Sequence, residues 1–284
     1  SRSGRYGIFV LTTRSNLFRG NVIHKNFLND GLKIENSAGC SFSNDVVATN
    51  NNGFVIVQST NIRVEKLSSF SNNGQGLAFW GSVSPGSTLR SNALYNNRGD
   101  GVLIQMGARV CDVRGNRSYG NTGGGFILQN AVSNTVVGNI AANNGGDGMK
   151  LEGSRGSRFT NNTTASNSGP GLVVIAVTNS LFVKTTAFSN QNHGLLIFLN
   201  PVQGCSFISN SAYLNTGAGV LLASTAVSLS NRFIGGSLRR NGQEGMNLDT
   251  LIRTRVEGVS IVSNAGIGIL LIGASRANEF VRNI

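Results

Sequence analysis

The 284-residue chain has few of the residues that usually carry catalysis or bind metals, and it has no long hydrophobic run. Its two histidines, His24 and His193, stand far apart in the repeat described below, so they cannot build a catalytic triad or a metal cluster. Acidic residues number 12 against 24 lysines and arginines, which leaves a net charge of +12. No apolar stretch could span a bilayer, and no signal-peptide pattern stands at the start. We therefore expect no metal site, no cofactor and no transmembrane segment.

A glycine followed by two alternating apolar residues recurs along the chain at a mean spacing of about 24 residues, a period typical of solenoids. The residues one and three positions after the glycine are apolar in every repeat, as in a short strand with one buried face. We number the repeats as coils 1 to 12 by their glycines, which are Gly7, Gly31, Gly53, Gly76, Gly101, Gly125, Gly148, Gly171, Gly194, Gly219, Gly245 and Gly268.

A second strand and two asparagine columns follow in most coils. The central column of the second strand contains seven of the 15 phenylalanines, which indicates a core stack rather than a ligand site; in coil 3, Ile62 or Val64 fits it. Asparagine tolerates the left-handed backbone of tight corners, and amides stacked at about 4.8 Å can bond along the stack. In the first asparagine column, coil 2 offers Asn44 or Asp45, and Lys66 interrupts coil 3.

Three short strands per coil, glycine and asparagine at the corners and no helical periodicity describe an all-β fold. The expected fold is a right-handed parallel β-helix (β-solenoid) of about 12 coils. Segments such as Asn144–Leu151 and Asn29–Ile34 resemble the repeats of the right-handed parallel β-helix superfamily, which has the pectin lyase-like fold. The resemblance covers residues 7–284. It implies one of several activities, because the superfamily includes polysaccharide lyases, hydrolases, uronate epimerases, phage tailspikes, carbohydrate-binding repeats and non-catalytic surface proteins.

The unbroken repeat predicts a single β-helix domain over residues 1–284, roughly 58 Å long at about 4.8 Å per coil. Open ends of a solenoid expose core residues and unpaired strand edges. We therefore expect the chain to be a segment of a longer protein, or a unit whose ends meet a partner.

Three cysteines occupy one column, at the position that opens the second strand. Cys40, Cys111 and Cys205 lie in coils 2, 5 and 9, so strand spacing separates them by about 14 and 19 Å along the axis. A disulfide needs Cα atoms within about 7 Å, and metal ligands must converge on one ion. These cysteines are therefore expected to be small buried side chains.

The positive charge favours an acidic polysaccharide or a cell-envelope polymer as partner, and the alternative is a solvated surface in a chain with few acids. Nucleic acid is less favoured, because the aromatic residues do not interleave with arginine as in reader modules. One exposed aromatic column offers flat platforms for pyranose rings, or ordinary cross-strand pairs. The candidates for glycan or polyanion binding are Tyr95, Tyr119, Phe188, Tyr213, Arg90, Arg98, Arg114, Arg117, Arg239 and Arg240.

The residues two and four positions after each glycine should face outward, yet 16 of these 24 are apolar. Near-continuous apolar strands are typical of parallel sheets that are buried on both faces. We therefore expect the first sheet to bind another copy of the chain or a flanking domain. This assembly face comprises Val55, Val57, Trp80, Leu103, Ile127, Val173, Ile175, Leu196, Phe198, Leu221, Leu270 and Ile272.

One local cluster of charged residues could support catalysis. Asp147, Lys150 and Glu152 share coil 7, and Asp100 lies two coils away, at roughly 10 Å by strand spacing. Acid and base partners must reach the same substrate atoms, and the sequence leaves open whether Asp147 and Glu152 do so. The alternative is a set of ordinary turn aspartates and a Lys–Glu surface ion pair worth under about 1 kcal/mol.

We favour a non-catalytic structural or adhesive module, with an apolar sheet face for assembly and a basic surface for acidic glycans. One alternative is a polysaccharide lyase or uronate epimerase that acts on an acidic polysaccharide through the coil-7 cluster. Another is a fibre or stalk segment that stacks end to end. Analogy of fold favours an extracellular or cell-surface location.

Overall fold

The computed structural model describes residues 6–81, 86–105, 107–109, 111–198, 202–223 and 228–284. These residues form strands, bends and turns, and no helix occurs among them, so none could cross a membrane. Each strand pairs in parallel with its equivalent one coil away, which generates three long sheets, two with 12 strands and one with 11. The all-β parallel β-helix with three strands per coil is therefore confirmed, with close to the expected number of coils.

Strands in the first sheet begin just after the coil glycines, at Ile8–Leu11, Leu32–Glu35, Phe54–Val57, Leu77–Trp80, Val102–Ile104, Phe126–Gln129, Met149–Glu152, Leu172–Ile175, Leu195–Phe198, Val220–Ala223, Met246–Asp249 and Ile269–Ile272. The second sheet comprises Leu17–Arg19, Ser41–Ser43, Arg63–Glu65, Thr88–Arg90, Asp112–Arg114, Thr135–Val137, Arg158–Thr160, Leu181–Val183, Ser206–Ile208, Arg232–Ile234, Arg255–Glu257 and Glu279–Val281.

The third sheet comprises Val22–His24, Val46–Ala48, Ser68–Phe70, Ala93–Tyr95, Arg117–Tyr119, Ile140–Ala142, Thr163–Ala165, Thr186–Phe188, Ser211–Tyr213, Ser237–Arg239 and Ser260–Val262. A short additional pair joins Ser228–Leu229 to Leu251–Ile252. The middle residue of each third-sheet strand turns inward, so its first and third residues form two outward columns that run along the axis.

The main core runs along the axis, and the register expected for the first sheet is confirmed. In coils 2 to 11, the residues one and three positions after the coil glycines, such as Leu32 and Ile34, are buried in it. In the end coils, Ile8 and Ile269 are only partly buried and Leu271 is exposed. In the second sheet, the phenylalanine column stacks ring on ring, with centroids 4.8 Å apart for Phe182 and Phe207. Val64 occupies this column in coil 3, because it pairs with both neighbours in the column.

The second asparagine column is a buried hydrogen-bonded ladder. Asn121 Nδ2 donates to Asn144 Oδ1 at 3.0 Å and also to a backbone carbonyl of the coil below. In the first column, Asp45 takes the coil-2 position and accepts the backbone N–H of Asn21 at 2.8 Å. Leu67 takes the coil-3 position, since its N–H donates to the next amide of the column. Counting Lys66 there was wrong by one residue.

The three cysteines are buried, as expected. Burial raises the pKa of the Cys111 thiol to about 12 and that of the Cys205 thiol to about 11. Because the thiolate is the reactive form, these side chains pack in the core as small apolar groups.

Candidate functional site

The three faces of the β-helix differ in charge. The 11 strands of the third sheet contain no aspartate or glutamate, and they carry Arg117 and Arg239. Asp45 is the one acid at the corners that flank these strands, and it is buried. Further cations occupy these corners, at Lys25, Lys66, Lys184 and Arg240. We call this surface the basic face. Seven of the 12 acids lie instead on the first sheet or in the turn before it, at Asp30, Glu35, Asp100, Asp147, Glu152, Glu244 and Asp249.

The arginines predicted to bind a glycan or polyanion are divided among the faces. Arg90 and Arg114 lie on the second sheet, where both form ion pairs with Asp112, Arg90 at 3.0 Å. Arg98 lies in a turn that leads into the first sheet. The predicted arginines therefore do not all share one surface, and polyanion binding by them stays a prediction. Those on the basic face are Arg117, Arg239 and Arg240.

The aromatic candidates form two stacks in one outward column of the basic face. Phe70, Tyr95 and Tyr119 have centroids 4.8 and 5.0 Å apart, with nearly parallel planes. Phe188 and Tyr213 stack in the same way at 5.1 Å. Parallel rings this close must overlap face to face, because rings placed edge to edge need a larger separation.

This stacking is that of the cross-strand pairs, one of the two alternatives that the sequence left open. Ring faces within a stack cover one another, so the stacks present ring edges to solvent and only their end faces remain uncovered by rings of the same stack. The Arg239 guanidinium lies 4.9 Å from the centroid of the Tyr213 ring, at one such end, in a cation–π geometry.

The charged cluster predicted around coil 7 has Lys150 and Glu152 on the first sheet, and Asp100 and Asp147 in the turns before it. Lys150 Nζ lies 2.9 Å from Glu152 Oε2, to which Gln129 Nε2 also donates at 3.1 Å. The bond from Lys150 lowers the pKa of Glu152. Burial raises the pKa values of Asp100 and Asp147, while the charge of Lys150 acts on both in the opposite direction. The cluster thus combines two carboxyl groups whose pKa values are raised with one cation.

The two aspartates differ in what lies one coil above them. Asp100 Oδ1 accepts a hydrogen bond from the Gly124 N–H at 2.7 Å. The residue at the same position above Asp147 is Pro170, which has no N–H to donate. The two carboxylates otherwise have equivalent positions. A Cβ added at Gly123 would lie 2.5 Å from Asp100 Oδ1, and a Cβ added at Gly169 would lie 2.5 Å from Asp147 Oδ1.

The assembly face points outward as expected, but part of it is already covered. Val55, Leu103, Ile127 and Val173 are at most 8% exposed, so the expectation of an open stripe is wrong for them. The preceding turn packs close to this face, since a Cβ at Gly124 would lie 2.6 Å from Ile127 Cδ1. Half-exposed members are Val57, Trp80, Ile175, Leu196, Leu221 and Leu270, and exposed ones are Phe198 and Ile272. Assembly through this face stays a prediction.

Sequence reasoning missed Phe70 and Pro170. Phe70 was overlooked because the count in coil 3 began at Lys66; counting back two residues from the second asparagine column would have found it. No sequence signal marks Pro170, since its importance comes from Asp147, which lies one coil below it.

This winding and these surfaces define a right-handed parallel β-helix protein. Solved structures with this fold include the Azotobacter vinelandii mannuronan C-5 epimerase AlgE4 A-module, with TM-score 0.61, 14% identity and coverage of 97% of this chain and 87% of that chain. A point mutant of the periplasmic alginate epimerase AlgG has TM-score 0.56 and 15% identity, with coverage of 95% and 77%. The Dettilon tailspike protein gp208 has TM-score 0.70 and 14% identity, with coverage of 93% and 61%.

These identities show the fold alone. The model of one protein family, described as periplasmic copper-binding protein (NosD), matches residues 14–193, and the chain belongs to this family. No curated protein sequence is significantly similar to it.

The family description raises the question of copper. Copper sites use imidazole, thiolate or thioether ligands that converge on one ion. Across the described ranges, no three His, Cys, Asp or Glu side chains do so. The cysteines are buried in separate coils, and Met149 and Met246 are buried in the core. The described residues therefore do not fit a copper ion held by this chain alone.

Proposed function

We propose that this chain is a β-helix module that binds an anionic polysaccharide along its basic face. The observation that carries the proposal is the segregation of charge, since the third sheet has no carboxylate in its strands and also holds the aromatic stacks. Two proteins of similar fold are named for mannuronan or alginate, which supports this class of ligand. The family description places NosD proteins in the periplasm, and we extend that location to this chain.

Binding would depend on several weak contacts in a row. Arginine donates charge-assisted hydrogen bonds to carboxylate, sulfate or phosphate groups, and Arg117 and Arg239 lie on one face without a competing exposed acid. Exposed charges are screened by salt beyond about 10 Å at 0.1 M. The affinity should therefore fall steeply as the salt concentration rises.

The proposal is tested by calorimetric titration of the protein with alginate oligosaccharides and, separately, with a neutral glucan. Only the anionic oligosaccharides should bind. Arg117→Ser with Arg239→Ser should weaken binding about tenfold or more, because the charge-assisted hydrogen bonds of both arginines are lost. A tenfold loss in affinity corresponds to roughly 1.4 kcal/mol. The matched control is Arg90→Ser with Arg114→Ser, which removes the same charge from the second sheet. Equal losses from both pairs would mean that net charge, and not the basic face, determines binding.

A second candidate function is lyase or epimerase chemistry on the same class of polymer, at Asp100, Asp147, Lys150 and Glu152. The observation that favours it is the raised pKa of both aspartates beside Lys150. A carboxyl that holds its proton at higher pH suits a proton donor, and a nearby ammonium can stabilise charge that develops on the substrate.

This candidate has an internal control. Coil 2 repeats the same pattern at Asp30, Lys33 and Glu35, including a Lys–Glu pair at 2.9 Å. Lyase activity would appear as ultraviolet absorbance of the unsaturated product, and epimerase activity as exchange of the sugar C5 proton with solvent. Lys150→Met should abolish either activity, whereas Lys33→Met should not. Equal activity in both variants would rule out the coil-7 cluster.

A further inference from the structure

The outward aromatic column of the basic face has a gap of two coils. Tyr119 pairs with Ala142, Ala142 with Ala165, and Ala165 with Phe188. Both stacks therefore end at this gap, and their end rings face each other across two alanines. With about 4.8 Å per coil, the two rings are roughly 14 Å apart.

The gap exposes aromatic faces that the stacks otherwise hide. The far face of Tyr119 is covered by Tyr95 at 5.0 Å, and that of Phe188 by Tyr213 at 5.1 Å. Along the column, the next residue on the gap side of each ring is an alanine: the half-exposed Ala142 beside Tyr119, and Ala165, which is 8% exposed, beside Phe188. Subtracting the thickness of the two rings leaves an opening of about 11 Å, since carbon atoms in contact lie 3.5–4.0 Å apart. A sugar ring can enter sideways and lie flat against either face.

Cations stand at both ends of the gap. Arg117 begins the strand that ends in Tyr119, and Lys184 occupies the corner that leads into the strand of Phe188. Between them, the floor presents the half-exposed Thr163 hydroxyl and the Ile140 side chain, which is 37% exposed. The residues around the gap thus combine flat apolar surfaces, a hydroxyl and positive charge, and they include no carboxylate.

We propose that this gap is the subsite in which the module holds one or two anionic pyranose residues of its ligand. The C–H face of a hexuronate-type ring packs on Tyr119 or Phe188, and its carboxylate reaches Arg117 or Lys184. The inference rests on the proposed function, and it adds where along the basic face the polymer is held and why a flat acidic sugar is selected.

Filling the gap tests the proposal. Ala142→Tyr adds one rung to the lower stack, so it should preserve the fold and lower the affinity for alginate oligosaccharides about tenfold. The matched control is Ala48→Tyr, which adds a rung beneath Phe70, outside the gap, and should leave the affinity unchanged. Phe188→Leu keeps an apolar side chain but removes the flat face, and it should also weaken binding. Circular dichroism and thermal unfolding verify that each variant folds.

The outcomes separate the two claims. Binding by wild type with undiminished binding by Ala142→Tyr overturns the subsite but leaves the binding module intact. An equal loss in Ala48→Tyr also overturns the subsite, because the gap would then have no special role. Absence of wild-type binding to alginate overturns the binding module, and the subsite with it.

Discussion

Asp147 lies one coil below Pro170, a residue that has no backbone N–H to offer its carboxylate. Asp100, which occupies the equivalent place two coils earlier, accepts such a bond from Gly124 at 2.7 Å. Burial raises the pKa of Asp147, and the positive charge of Lys150 offsets only part of that effect. The proline thus leaves one carboxyl of the cluster without the backbone donor that its counterpart has.

Replacing the proline should supply that donor. In Pro170→Ala the new N–H faces the Asp147 carboxylate, and a hydrogen bond to the ionised form lowers the pKa. Carbon-detected NMR titration of the aspartate carboxyl groups measures the shift directly. The pKa of Asp30, the equivalent carboxyl in coil 2, serves as the internal reference and should not move. An unchanged pKa of Asp147 would show that the new N–H makes no bond to its carboxylate.

Asp147→Asn should stabilise the protein at neutral pH. A raised pKa means that the folded chain binds the proton more tightly than the unfolded chain, so between the two pKa values the folded state carries more protons. The free energy of unfolding therefore falls as the pH rises through that window, and the penalty is complete above the folded pKa. Asparagine cannot ionise and removes the penalty. Urea unfolding below and above the carboxyl pKa measures the difference.

Glu152→Gln provides the comparison with the opposite sign. The pKa of Glu152 is lowered, chiefly by its bond with Lys150, so its ionised form stabilises the folded state above the unfolded pKa, and this contribution is lost as the pH falls through the folded pKa. The variant should be less stable than wild type at neutral pH. A gain in stability from both substitutions would contradict this account of the cluster.

Removing one rung of the asparagine ladder should be costly. Asn144→Ala deletes bonds to Asn167 at 3.0 Å and to the Ser118 carbonyl at 3.1 Å. It also removes the oxygen that accepts both the backbone N–H of Asn121 and one bond from its side-chain amide. Buried polar groups without partners cost about 1–3 kcal/mol each, so a loss of roughly 2–4 kcal/mol in the free energy of unfolding is expected from urea denaturation. Asn26→Ala, at the more exposed first rung, should cost less.

The cysteines should react with thiol reagents only after unfolding. The raised pKa values of Cys111, about 12, and Cys205, about 11, suppress the thiolate, and burial blocks access. Labelling with an aromatic disulfide reagent should be slow in buffer and should reach three thiols in denaturant. Rapid labelling of the folded protein would indicate that the coils open locally.

Much of the architecture could be predicted because the same sequence pattern recurs in every coil. Apolar residues occupy the positions of Leu32 and Ile34 after every coil glycine. The burial of these two residues and the register of the first sheet therefore followed from alternation alone. The corners were harder, because the spacing between coil glycines varies from 22 to 26 residues. That variation placed Lys66 where Leu67 belongs, and it hid Phe70 from the aromatic column.

The sequence alone determined the winding, the core and the ladders, since each is a local pattern repeated at every turn of the chain. The tertiary structure decided which residues of different coils share a surface. It separated the acids from the basic face and placed Pro170 above Asp147. It also placed the ends of the two aromatic stacks on either side of Ala142 and Ala165. The physical reason is that winding brings residues more than 20 positions apart in sequence to within about 4.8 Å of each other. Because the corners vary in length, only the folded structure shows which of these residues meet.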